Sequence, residues 1–229
     1  MANRSPTPGQ SPEGHAIAFV AGGPISRRKI RSSSRTPKGK SMADFAAARL
    51  NMVESQVRTQ DVTDIRIHEA MRELPRERFV PEGKAYLAYA DTEVEYAPGR
   101  VLLKPRDVSK LLQEARPMPG ERVLALSAPY AAAVIEALGA TVIQADADPN
   151  QVPPGEYDLV ICEGAVARAP EAWLKALALQ GRLAVVERDG PVGKACLYVR
   201  AEDGIGRREL FDATPPVLAG FEAQHGFAF

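Results

Sequence analysis

Apolar positions fall into two rhythms along the chain, helical near its start and mixed after Glu121. From Ala43, the residues Phe45, Ala46, Leu50, Met52, Val53 and Val57 recur near a 3.6 period, which predicts a helix. Asp64 stands where a capping carboxylate belongs, ahead of Ile65, Ile67, His68 and Met71, and predicts a second helix. Pro75 and Pro81 bracket a short connector. After Glu121 short apolar runs alternate with helical stretches. Strands are predicted at Arg122–Leu126, Thr141–Ala145, Tyr157–Cys162 and Gly181–Val186, and helices from about Ala131 to Leu138 and over Pro170–Leu179. Strand and helix in repetition imply an α/β fold with a mostly parallel sheet. Lys194–Arg200 and Arg207–Phe211 flank the turn-forming Glu202-Asp203-Gly204 and read as an antiparallel hairpin at one edge.

Residues 1–41 break both rhythms. Five Pro, five Gly and seven Ser leave too little apolar surface to offset chain entropy, so a disordered tail is expected there and a single α/β domain over 42–229. Met42 is a candidate start of the natural protein. The zero net charge is a cancellation: this tail holds eight basic side chains and one acid, leaving 21 basic and 28 acidic groups for the remainder. An acidic body argues against nucleic acid as the main partner. No run of about 18 apolar residues exists to span a membrane. Cys162 and Cys196 lack metal-ligand or disulfide-framework spacing and read as buried thiols of a reducing, cytoplasmic compartment. No metal site is expected, and His68 reads as a packing residue.

Several segments together resemble the protein-L-isoaspartate O-methyltransferases. They are Met52-Val53-Glu54-Ser55-Gln56, the helix from Asp64 through Met71, Pro75-Arg76-Glu77-Arg78-Phe79-Val80-Pro81, Tyr89-Ala90-Asp91, and the close from Phe211 through Phe221 with Phe227-Ala228-Phe229. The resemblance spans Met42 to Phe229 with one gap. It implies the Rossmann-like class I methyltransferase fold, S-adenosyl-L-methionine as cofactor, and isoaspartyl or acidic sites in proteins and peptides as partners. A monomer is expected, with neither membrane nor nucleic acid as partner.

Two motifs carry the chemistry in that family. The first is a Gly-Gln-Thr-x-Ser-x-Pro-like loop whose hydroxyls address the acceptor carboxylate. Here it reads Gly99-Arg100-Val101-Leu102-Leu103-Lys104-Pro105, so Val101 and Leu103 stand in the hydroxyl positions and no catalytic residue is assigned. Arg100 and Lys104 could attract an anion. The second is a glycine-rich turn after the first strand of the repeat, where backbone N–H groups approach the donor's carboxylate. Here the turn is Ser127-Ala128-Pro129-Tyr130, without glycine, and Pro129 removes a donor.

Asp146 and Asp148 follow the second strand of the repeat, where the resemblance places a ribose-binding acid. Together with Ser127 and Tyr130 they are the candidate cofactor-binding residues; Asp before Pro and Asn is also ordinary turn chemistry. From Asp148 to Tyr157 only nine residues remain, too few for the expected helix and strand, so one helix–strand unit is deleted. Its loss should leave Thr141–Ala145 at or next to an open edge of the sheet. Glu163 is expected at a strand end, solvated on the crevice side.

Three functions are open at this point. One is the family's methyl transfer to isoaspartyl carboxylates. Another is a non-catalytic relative that binds peptides or proteins. The third is a small-anion site at Ser127–Tyr130 with Arg100 and Lys104.

Overall fold

A computed structural model describes residues 42–223. The expected tail over 1–41 and the closing Phe227-Ala228-Phe229 lie outside the described residues.

The described residues open with α1 (Met42–Met52), which widens into a π-type turn over Val53–Val57. Helix α2 (Ile65–Glu73) starts at Asp64, whose carboxylate accepts from Arg66 N at 3.0 Å, the cap its position called for. The Pro75–Pro81 connector folds as a tight turn of helix over Arg76–Phe79. A small hairpin follows, β1 (Val94–Ala97) against β2 (Arg100–Leu102), closed by Gly99 at φ 68°, where a β-carbon is strained. The sequence pattern did not announce this hairpin.

Helix α3 (Pro105–Ala115) was likewise not expected. Val108, Leu111, Leu112 and Ala115 form its buried stripe, and Pro105 sits in its first turn, where no N–H is needed.

The main sheet contains β3 (Arg122–Leu126), β4 (Thr141–Ala145), β5 (Tyr157–Val166), β6 (Leu177–Glu187), β7 (Gly193–Ala201) and β8 (Gly204–Ala213). Their spatial order is β4-β3-β5-β6-β7-β8. The pairs β4/β3, β3/β5 and β5/β6 are parallel; β6/β7 and β7/β8 are antiparallel. β4 forms one edge, as the deletion implies.

Helix α4 (Pro129–Ala137) leads from β3 to β4, and Gly139 at φ 93° ends it. Helix α5 spans only Glu171–Lys175. The expected helix over Pro170–Leu179 is cut short because Leu177 already pairs with Tyr157 in the sheet. Alternate strand residues divide between two cores. Val123, Ala125, Leu159 and Ile161 pack with residues of α1–α4, and Leu124, Leu126, Val160 and Cys162 with Trp173, Leu218 and Phe221.

Strand β5 also runs beyond its expected end at Cys162. Its pairing with β3 stops at Leu126↔Cys162, and against β6 it then bulges, covering Ile161 to Ala165 while β6 covers Ala184 to Val186. Gly164, at φ 127°, lies in this bulge; a β-carbon there would come within 2.6 Å of Leu218. Glu163 lies in the bulge too, fully buried, and not at a solvated strand end.

Candidate functional site

The turn from β3 to α4 sits at the carboxyl ends of the parallel strands, where open α/β sheets bind ligands. Ser127 takes the position after Leu126 with φ 46°, a backbone conformation that favours glycine. Three hydrogen bonds hold it. Its N–H donates to Ala145 O at 2.8 Å, its Oγ accepts from Ala147 N at 2.9 Å, and its carbonyl accepts from the Tyr96 hydroxyl at 3.0 Å. The hydroxyl therefore ties the ends of β3 and β4 together and is not turned toward a ligand. Ser127, Pro129, Tyr96, Gln144 and Asp146 line a cleft of about 310 Å³.

The four candidate cofactor residues separate. Ser127 and Asp146 reach that cleft; Tyr130 and Asp148 do not line it. Tyr130, in the first turn of α4, is fully buried, with the Arg76 guanidinium 4.5 Å from its ring centre and Phe79 edge-on at 5.5 Å. Burial pushes its hydroxyl up to about 12. Asp148 makes the turn its neighbours suggest, accepting from Asn150 N at 2.7 Å and Gln151 N at 3.2 Å. The Asn150 amide leads the groups that hold its carboxyl below the ordinary value. With Asp146 it lines a second cleft of about 450 Å³ against Val152 and Pro153. Asp146 is exposed.

The acceptor loop folds as β2 and the start of α3. Val101 is 7% exposed and Leu103 fully buried, so the positions where the resemblance puts hydroxyls are hydrocarbon packed into the interior. Lys104 pairs with Glu93 at 3.6 Å, and Arg100 is half-buried near Tyr96.

Two charged residues of this region are buried against expectation: Glu163, expected as a solvated strand-end acid, and Arg76, to which the sequence assigns no role. The Glu163 carboxylate accepts from Leu103 N at 2.9 Å through one oxygen and from Ala131 N, in the first turn of α4, at 2.7 Å through the other. Arg76, also fully buried, donates to the carbonyls of Ala88, at 2.8 Å, and Leu103. Burial raises the Glu163 carboxyl above its ordinary value, against the pull of Arg76 and the amides of Ala131, Leu103 and Tyr130. With both oxygens accepting backbone N–H groups, the carboxylate form fits the geometry. The only advance signal was alternation: Ile161, Glu163 and Ala165 fall on one face of a strand if β5 continues past Cys162.

Chemically the site is satisfied rather than poised. The described residues include no group of three or more His, Cys, Asp or Glu that could hold a metal, and no helix among them is long and apolar enough to cross a membrane. Cys162 is fully buried and its thiol is pushed up by burial, which leaves it inert as a nucleophile. The residues present do not fit S-adenosyl-L-methionine in the way the resemblance implies. The Ala131 amide already holds Glu163, and Pro129 offers none.

Comparison with known proteins gives a consistent picture. No family model matches the chain. It is 31% identical over 209 residues to a protein-L-isoaspartate O-methyltransferase of Methylorubrum extorquens, covering 77% of this chain and 91% of the relative. It is 30% identical over 190 residues to protein-L-isoaspartate O-methyltransferase 1 of Rhodopseudomonas palustris, covering 70% and 76%. Among solved structures, the fold matches a Plasmodium falciparum protein described as a putative protein-L-isoaspartate O-methyltransferase in complex with S-adenosyl-L-homocysteine. The TM-score is 0.61 at 16% identity, over 74% of this chain and 97% of that one.

Proposed function

This chain belongs to the protein-L-isoaspartate O-methyltransferase family, and from that premise we propose that it is a non-catalytic member that binds peptides or proteins without transferring methyl groups. Burial of Val101 and Leu103 carries the reading. Methyl transfer to a carboxylate needs donors that orient the nucleophile, and hydrocarbon side chains packed into the interior provide none. Family membership supports proteins with isoaspartyl or acidic sites as the partner class.

The methyl donor is expected to bind poorly. Each lost charge-assisted hydrogen bond costs about 1.5–3 kcal/mol. Losing two or three weakens binding by about a thousandfold or more, turning micromolar affinity into millimolar. Calorimetric titration of S-adenosyl-L-methionine should show no saturable binding at micromolar concentrations, and an isoaspartyl peptide should acquire no methyl ester.

A second reading, retained methyl transfer with an altered donor geometry, is favoured by one observation. Asp146 is exposed at the cleft and makes no hydrogen bond or ion pair with any described residue. Micromolar donor binding that is lost in Asp146→Ala would establish that reading instead.

A further inference from the structure

Helix α4 starts without a side-chain cap of its own. Ala128 occupies the cap position and Pro129 the first turn, so the amides of Tyr130 and Ala131 need an acceptor from elsewhere. Strand β3 ends at Leu126 and its chain turns away at Ser127, whereas β5 runs on beside it through Cys162. Glu163 is the next residue, and its carboxylate meets the opened helix end. The bulge in β5 and the backbone freedom of Gly164 accompany this placement. Its other oxygen takes Leu103 N, so one carboxylate joins three segments distant in sequence. Arg76 completes the arrangement as a fully buried cation that holds two carbonyls and lies over the ring of Tyr130. One guanidinium nitrogen of Arg76, Nη1, and the Tyr130 hydroxyl have no hydrogen-bond partner. The cation is held by those two carbonyls and the Tyr130 ring, and the charge of Glu163 also favours it.

We propose that Glu163 is a built-in anion that occupies the amide cradle at the start of α4, so that the domain is closed and stable without a bound carboxylate ligand. The inference deepens the non-catalytic reading above and rests on it for its functional meaning. The cradle attracts negative charge through the N–H groups of its first turn and the helix dipole. In this chain that attraction is spent within the fold, between residues 32 and 60 positions apart.

Removing the carboxylate should open a hole shaped for a small anion. Glu163→Ala is expected to melt about 5 °C or more below the wild type. Sodium acetate or formate should restore part of that loss saturably, while sodium chloride at the same ionic strength should not. The wild-type protein should show no such response, its cradle being filled. If Glu163→Ala does not fold, Glu163→Gln decides. It preserves shape but turns an amide NH₂ toward a backbone N–H, so it should melt below the wild type. The proposal is overturned if Glu163→Gln melts with the wild type, if acetate acts equally on wild type and Glu163→Ala, or if chloride restores as much as acetate. Micromolar S-adenosyl-L-methionine binding by the wild type would sink the non-catalytic reading, whatever acetate does to the variant. Failed acetate rescue in a protein that ignores the donor would sink the built-in anion alone.

Discussion

The indole N–H of Trp173 donates to the main-chain carbonyl of Asp148 at 2.7 Å. This bond joins α5 to the short segment that replaces the deleted helix–strand unit. Trp173 is fully buried and packs on Phe221 with ring centres 5.3 Å apart. Below it, Tyr157 donates its hydroxyl to Pro153 O at 2.9 Å, so the shortened segment is held at both ends of its course.

Trp173→Phe keeps an aromatic ring against Phe221 but leaves the Asp148 carbonyl without its donor. The expected loss is about 1–2 kcal/mol in urea unfolding, with little change in the denaturant slope. A loss below about 0.3 kcal/mol would mean the bond is not structural.

Ser127 combines a left-handed backbone with a buried hydroxyl that accepts from Ala147 N. Ser127→Ala loses the acceptor and keeps the strain, so it should be destabilised by about 1–2 kcal/mol. Ser127→Gly loses the same acceptor and gains a comfortable φ, and should come out about 1 kcal/mol more stable than the alanine variant. Thermal or denaturant unfolding of the pair separates the two effects.

Asp64 ties pH to the start of α2. The Arg66 guanidinium, bonded to both carboxylate oxygens at 3.1 and 2.7 Å, holds the carboxyl below its ordinary value of 3.8. A depressed folded value contributes stability above the unfolded value, and this contribution disappears as pH falls through the folded one. Wild-type stability should therefore fall more steeply below about pH 4 than that of Asp64→Ala. At neutral pH the variant should be about 1 kcal/mol less stable.

Strand β4 pairs with β3 on one side only. Hydrogen exchange should find the amides of Thr141–Ala145 less protected than those of Arg122–Leu126, which lie between two strands. Equal protection would point to a partner strand on the open edge.

Much of this architecture is legible in the amino-acid sequence alone. The Asp64 cap, the apolar runs of β3 and β4, and the Glu202-Asp203-Gly204 hairpin turn rest on interactions between near neighbours, which residue order displays directly. The nine residues from Asp148 to Glu156 could not hold a helix and a strand, and β4 accordingly lies at the edge. The missing hydroxyls at Val101 and Leu103 and the missing glycines at Ser127–Tyr130 were likewise readable residue by residue.

What stayed hidden depends on distant neighbours. Leu177 is strand rather than helix because Tyr157 pairs with it, overriding a local helical pattern. Ser127 and Tyr130 belong to a turn that the sequence treats as one motif, yet Tyr130 is buried in the first turn of α4 while Ser127 reaches the cleft. Arg76 and Glu163 look like surface charges in their own segments. Each is buried because backbone groups 12 to 60 residues away surround it with donors and acceptors. An enclosed charge is tolerable only when such partners converge, and only the folded chain brings them together.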